Sequence, residues 1–335
     1  MVFGFFESKS FNPVKDIPEL KGKTIFVTGG KSRTRLSSTL CQTSVKLILW
    51  IGNIGLGKAT CLAIAPHNPK HIFLGARSAE KAAGAIKDIK QVAPDVFISF
   101  VECDLASLPS VKKAAAQFES ESERLDVLFC NAGIMALPAG LSTSGYETQF
   151  GTNHVGHAAL IKLLLPTLQK TAKEPNSDVR IVALSSLGHN FAPKGGINFS
   201  TLKTPQENDS TWVRYGQSKL ANILYVKQLA KRYPTIKSVA VHPGFVQTNL
   251  AATLTEGNIL YRGAMLGASM VPFMMKSAET GALNQLWAAF SGEVKSGEYY
   301  EPVGVANRGS NYSNDEKLAE RLWEWTEGEL KDFNA

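Results

Sequence analysis

Six short apolar runs, at residues 24–28, 71–74, 97–101, 127–130, 179–184 and 238–242, alternate along the chain with helix-length amphipathic stretches beginning near Leu56, Ala79, Leu108, Tyr146 and Trp212. Runs this uniformly apolar must be covered on both faces, and strands that return through a helix lie parallel to one another. The expected fold class is therefore α/β: one doubly wound parallel sheet with helices on both faces. A length of 335 residues admits one large domain or two. No internal repeat and no linker divides the chain, so an N-terminal arm (1–20) followed by a single domain (21–335) is the simpler organisation. Loops are expected at 190–210, which is rich in Pro, Gly and Asn, and at 249–277.

An apolar fraction of 44% and a charged fraction of 19% suit a globular chain with a sizeable core. The net charge of +7 raises the question of a nucleic acid or an anionic membrane as partner. However, Lys31, Arg33, Arg35 and Lys46 fall together in an acid-free stretch, and without them the balance drops to +3 with no concentrated basic run. Nucleic acid is therefore not an expected partner, since scattered lysines make a solvated face. The four cysteines have no paired-ligand spacing, and Cys61, Cys103 and Cys130 sit in apolar patterns as small hydrophobes. That usage suits a reducing, cytoplasmic location. Phe3, Phe5 and Phe6 give way at once to polar residues, so a signal peptide or transmembrane segment is not expected. The arm either packs on the domain or touches a membrane surface.

The first apolar run ends in Thr28-Gly29-Gly30. A strand-to-helix turn here needs glycine, both for its dihedrals and to let backbone N–H groups approach a pyrophosphate. The rest of such a turn is present but displaced, as Asn53-Ile54-Gly55-Leu56-Gly57-Lys58. Excising residues 31–52 joins the pieces into Val-Thr-Gly-Gly-Asn-Ile-Gly-Leu-Gly-Lys, a complete phosphate-binding fingerprint opening a Rossmann-like domain. The 22 intervening residues follow neither helix nor strand period. Gly30-Lys31-Ser32 is encodable by a sequence containing the splice-donor pattern GTAAGT, and Ile51-Gly52 by one containing an AG acceptor. The segment is thus either a retained intron read in frame or a genuine loop insertion. A transcript joining Gly30 directly to Asn53 identifies the former, and full-length cDNA alone identifies the latter.

Further along, the second run leads to Ala76-Arg77 with no acid at its end. An acid there would suit a ribose 2′-hydroxyl, whereas arginine suits a 2′-phosphate, so NADP(H) is expected over NAD(H). The alternative is that Arg77 merely begins the next helix in water. Tyr215 and Lys219 are four residues apart in a helical stretch, 212–232, and so share one face. A free tyrosine is a poor base at neutral pH, and a neighbouring ammonium favours the phenolate.

Taken together, the split TGxxxGxG, Asn131-Ala132-Gly133, Tyr215-Gly216-Gln217-Ser218-Lys219 and Pro243-Gly244 resemble the short-chain dehydrogenase/reductase family over roughly residues 21–300. Leu74-Gly75-Ala76-Arg77 and Ser185-Ser186-Leu187-Gly188-His189 are most similar to its retinol dehydrogenase and WW-domain oxidoreductase branch. The resemblance implies hydride transfer between a nicotinamide cofactor and a carbonyl or alcohol. It assigns catalysis to Ser186, Tyr215, Lys219 and Asn153: Ser186 on the substrate oxygen, Tyr215 as proton donor, Lys219 on the nicotinamide ribose. Asn153 would bend its helix and hold a water linking Lys219 to solvent. It assigns the cofactor to Thr28, Gly29, Gly30, Gly55, Leu56, Gly57, Arg77, Asp104, Asn131, Ala132, Gly133, Tyr215, Lys219, Val246 and Thr248. Asp104 stands equally well as a helix N-cap, and Ser186 as a turn cap. His154 and His157 lack metal-ligand company and read as structural; no metal site is expected. The segment 249–277, with Leu250, Leu254, Leu260, Met265, Met270, Phe273, Met274 and Met275, either covers a cleft for a lipophilic substrate or packs a helix. Expected partners are thus a small-molecule carbonyl or alcohol and, at most, a peripheral membrane surface; the chain is a monomer or a homodimer. A non-catalytic binding protein, its cofactor loop broken by residues 31–52, is the rival reading.

Overall fold

The computed structural model describes residues 8–29, 55–244 and 276–333. Among these, seven strands form one parallel sheet in the order β3-β2-β1-β4-β5-β6-β7. They are β1 Thr24–Thr28, β2 His71–Ala76, β3 Ile98–Glu102, β4 Val127–Cys130, β5 Val179–Leu184, β6 Ile236–Val241 and β7 Tyr299–Tyr300. β1, β4 and β5 occupy the residues expected, while β2, β3 and β6 differ at their ends by one or two residues. β7 was not expected: two residues at a sheet edge carry no periodicity to read.

The helices are α1 Pro13–Asp16, α2 Leu56–Ile64, α3 Ala79–Val92, α4 Leu108–Glu121, α5 Thr148–Phe150, α6 Gly156–Ala172, α7 Thr211–Arg232, α8 Ala278–Phe290 and α9 Glu316–Glu329. Ser78, Ser107, Ser210, Ser277 and Asp315 each accept a backbone N–H three residues on, which starts α3, α4, α7, α8 and α9 where they begin.

Strand alternation divides the core in two. Ile25, Val27, Ile72, Leu74, Phe129, Val182 and Val239 pack with residues of α2, α3 and α8. Phe26, Phe73, Leu128, Cys130, Ile181 and Ala240 pack with α4, α6, α7 and α9. This is the doubly wound, Rossmann-like architecture expected from the sequence. Strand order reverses between β1 and β4, which places a crevice at their carboxyl ends, where ligands of open α/β sheets bind.

Ile17 and Leu20, after α1, are buried in the α2/α8 layer, and the Lys9 amide donates to the Val303 carbonyl at 2.9 Å. Cys61, Cys103 and Cys130 are free and buried, and burial pushes the Cys61 and Cys103 thiols up to about 12. No helix among the described residues is long and apolar enough to cross a membrane. Residues 31–52, and with them Gly30, Asn53 and Ile54, lie outside the described residues, as do Val246, Thr248 and the segment 249–275.

Candidate active site

β1 delivers Thr28 to the crevice, where Gly29 turns the chain at φ +92°, a conformation that favours glycine. A β-carbon on Gly57 would stand 2.9 Å from the Gly29 carbonyl oxygen and 2.8 Å from Asn131 Nδ2. One on Gly29 would stand 2.9 Å from the same amide. The two halves of the split glycine motif are therefore neighbours in space, although 28 positions separate them in the chain. Gly55 caps α2 without a side chain, leaving the first N–H groups of α2 to face this gap.

The end of β4 forms the other wall. Thr28 Oγ1 accepts the Asn131 and Ala132 amides at 2.9 and 3.0 Å, while Asn131 Nδ2 donates to the Thr28 carbonyl at 2.7 Å. Thr28 is thus a brace, its hydroxyl turned to β4. Asn131 Oδ1 is buried with no hydrogen-bond partner among the described residues. Glycines that admit no side chain, at the N-terminus of α2, fit a bound pyrophosphate, whereas Asn131 Oδ1, an acceptor, fits a hydroxyl donor such as that of a ribose.

Beyond β2, Ala76, Arg77, Ser78 and Lys81 line a cavity of about 300 Å³. Lys81, not singled out from the sequence, stands in the first turn of α3, past the Ser78 cap, and adds a second cation to the lining that Arg77 joins from the end of β2. Asp104 is not the N-cap of α4, a place taken by Ser107; its Oδ1 accepts the Ala106 amide at 3.1 Å.

The catalytic candidates converge from three elements. Ser186 follows β5 and caps the short turn Leu187–Phe191, its Oγ accepting the Gly188 amide at 3.0 Å. Tyr215 and Lys219 lie on the buried face of α7, and Tyr215 and Ser186 flank Gly188, whose β-carbon would stand 2.7 Å from Tyr215 Cε1 and 3.3 Å from Ser186 Oγ. Lys219 Nζ donates to the Leu184 carbonyl at 3.0 Å and stands 5.8 Å from the Tyr215 ring centre. Ser185 is turned away, donating to the Lys219 carbonyl at 2.8 Å. Burial pushes Tyr215 up to about 12, with the neighbouring Ser186 side chain opposing, and brings Lys219 down to about 8. The expected lowering of Tyr215 by the ammonium is therefore not what this structure shows, because desolvation disfavours both charged forms.

Asn153 lies in a π-helical turn, Gly151–Val155, between α5 and α6. Where the family resemblance implies a bend, the helix is thus a π-turn. Its Oδ1 accepts the Ile134 amide at 2.8 Å, and its Nδ2 donates to the Ile134 carbonyl and to Ser218 Oγ, each at 2.9 Å. The side chain thus braces the end of β4 against α7. His157, one turn on, joins Thr28 Oγ1 and the Asn153 carbonyl, each at 3.0 Å; His154 meets Thr326 Oγ1 at 3.0 Å. Burial brings His157 down to about 4 and His154 to about 3, as suits neutral structural histidines. Among the described residues no group of histidines, cysteines and carboxylates could hold a metal.

Sequence reasoning also missed an aromatic pair beside the site. Phe191 is 56% exposed, its ring 6.2 Å from that of Trp212. Met135 and Leu137 are half-buried, and the Leu137 carbonyl accepts the hydroxyl of Thr211, next to Trp212.

The family model for short chain dehydrogenases matches residues 46–205. The short-chain dehydrogenase/reductase drtF of Aspergillus calidoustus is 38% identical over 94% of this chain and 96% of its own length. Human retinol dehydrogenase 13 is 34% identical over 89% of this chain and 87% of its own. Among solved structures, an uncharacterized protein of Mycobacterium paratuberculosis superposes with a TM-score of 0.68 at 26% identity, covering 96% of this chain and 98% of the other. With its glycine cradle at the β1/β4 crevice and Ser186, Tyr215 and Lys219 beside it, the chain belongs to the short-chain dehydrogenase/reductase family.

Proposed function

We propose that this oxidoreductase uses NADP(H) to interconvert a carbonyl and an alcohol on a lipophilic small molecule. The observation that carries the reading is the convergence of Ser186 and Tyr215 on either side of Gly188, with Lys219 one turn along α7, next to the Gly29–Gly57 cradle. When bound, NADPH supplies the hydride that the carbonyl carbon accepts. Ser186 and Tyr215 hydrogen-bond the carbonyl oxygen, where negative charge develops, and Tyr215 releases its phenolic proton to it. Lys219 holds the ribose and returns a proton toward Tyr215. Water reaching Lys219 past Asn153 replaces that proton from solvent. The protein contributes position and electrostatics, since the cofactor carries the hydride.

The preference for the 2′-phosphate is supported by Arg77 and Lys81, which present two cations to one cavity with no carboxylate among the described residues of its lining. Arg77→Ala is expected to weaken NADPH binding about ten- to a hundredfold while NADH binding changes little, as measured by cofactor fluorescence titration. Equal weakening of both would count against a 2′-phosphate contact. A lipophilic substrate is supported by Phe191, Trp212, Met135 and Leu137, apolar groups at the Tyr215 end of α7. A reducing, cytoplasmic compartment suits the three buried free thiols.

The rival reading, a binding protein disabled by residues 31–52, is met by one comparison: NADPH titration of the 335-residue chain against a version joining Gly30 to Asn53. The contact of Gly57 with Gly29 leads us to expect binding by both. Binding by the shortened form alone identifies the segment as an intrusion. Folded proteins that both fail to bind would sink the oxidoreductase reading.

A further inference from the structure

His189 closes the Ser-Ser-Leu-Gly-His run, yet the chemistry above gives it nothing to do. It is completely buried, and both ring nitrogens have backbone partners. Nδ1 lies 2.7 Å from the Ser186 carbonyl oxygen, and Nε2 lies 3.0 Å from the Ser310 amide nitrogen. A carbonyl only accepts and an amide N–H only donates, so the two partners admit one protonation state, with hydrogen on Nδ1 and a bare lone pair on Nε2. An imidazolium would set N–H against N–H, and the opposite tautomer would lose both bonds. Burial lowers the pKa of His189, against the opposing hydrogen bond to Ser186, which keeps the ring neutral. The titratable groups around it are Tyr299 of β7, edge-on at 5.2 Å and itself hydrogen-bonded to Glu301, and His242 at the end of β6.

What the ring holds is the turn that presents Ser186. A β-carbon on Gly188 would stand 2.7 Å from Tyr215 Cε1 and 3.3 Å from Ser186 Oγ, so this turn lies directly on the Tyr215 ring. Any rotation of the turn therefore moves one hydroxyl relative to the other. From behind, the turn is tied to a segment more than 100 residues away in the chain, through His189 to Ser310. The Gly195 amide, donating to Tyr312 Oη at 2.9 Å, makes a second tie to the same segment.

We propose that His189 is a positioning residue: as the neutral Nδ1–H tautomer it straps the Ser186 carbonyl to the Ser310 amide and so fixes the Ser186 hydroxyl against Tyr215. Its catalytic consequence rests on the oxidoreductase reading; the strap itself does not. Two measurements separate them. In protein labelled with nitrogen-15 histidine, the His189 ring, assigned by its loss in His189→Gln, is expected to show the Nδ1–H tautomer and to stay neutral well below the ordinary value of about 6.5. The Nε2–H tautomer, or titration near that ordinary value, overturns the strap whether or not any substrate is known.

The second measurement is NADPH oxidation with all-trans-retinal and a series of straight-chain aldehydes. In His189→Phe, kcat is expected to fall about ten- to a hundredfold with NADPH affinity and fold unchanged, because misplacing a hydroxyl costs rate rather than binding. His189→Gln, whose amide restores a donor to Ser186, is expected to recover part of the loss. Unchanged kcat in folded His189→Phe, or parallel loss of kcat and NADPH affinity, overturns the positioning role. A wild type that binds NADPH and reduces none of these carbonyls counts against the oxidoreductase reading, and the tautomer measurement then decides the strap alone.

Discussion

Tyr215→Phe is expected to slow carbonyl reduction by about 10²–10⁴-fold while NADPH affinity stays within about twofold of wild type. The ring is 5% exposed and lies against Gly188, and phenylalanine keeps that packing. Only the hydroxyl leaves, and Ser186 Oγ retains the Gly188 amide, so no buried polar group is orphaned. The change thus separates proton donation from structure. Since Tyr215 is held near 12, its neutral, proton-donating form persists across the physiological range, and the wild-type rate of reduction should not fall through deprotonation of Tyr215 between pH 6 and 9. Steady-state rates with cofactor titration check both statements. A Tyr215→Phe enzyme with near-normal turnover would remove Tyr215 from the chemistry and the proposed mechanism with it.

Lys219→Met is expected to do two opposite things: abolish most turnover and stabilise the cofactor-free protein. Lys219 is 4% exposed, and burial alone displaces it from 10.5 to about 8, a penalty of roughly 3 kcal/mol on its charged form. Methionine of similar length removes that penalty. The Leu184 carbonyl left behind still accepts Asn222 Nδ2 at 3.0 Å, so no acceptor is orphaned. A gain on the order of 1–3 kcal/mol in unfolding free energy at pH 7 follows, measured by urea denaturation. Below about pH 8 both folded and unfolded wild type carry the proton, and the penalty is present in full. Between about 8 and 10.5 the folded form has lost the proton while the unfolded form keeps it, so wild-type stability rises with pH and the advantage of methionine shrinks. A variant less stable than wild type at pH 7 would mean that Lys219 earns its place by packing or hydrogen bonding. A stabilised, inactive variant would mark it as a site where stability is given up for function.

Those two residues illustrate what one chain segment reveals. A tyrosine and a lysine at i and i+4 share a helix face wherever that helix is, so the pair was identifiable before its surroundings were known. The apolar runs from 24 to 184 disclosed the strands for a similar reason, since burial on both faces demands uninterrupted apolar residues. Glycines at the end of β1 and before α2 pointed to one phosphate turn even though the chain separates them. The resemblance implies a helix bend at Asn153, and the structure has a π-turn over 151–155 there.

The sequence by itself, then, determined the α/β class, the principal strands, and the candidate residues at their carboxyl ends, because strand and helix periods are local and a motif compresses geometry into spacing. Tertiary structure alone decided the rest. It brought Gly57 against Gly29, gave Arg77 the company of Lys81, spent the Thr28 hydroxyl on β4 and the Asn153 amide on Ile134 and Ser218, and raised rather than lowered Tyr215. It also added β7 at the sheet edge and tied His189 to Ser310. Each of these depends on which distant groups become neighbours and how much water they lose, and neither quantity is encoded in the spacing of residues along the chain.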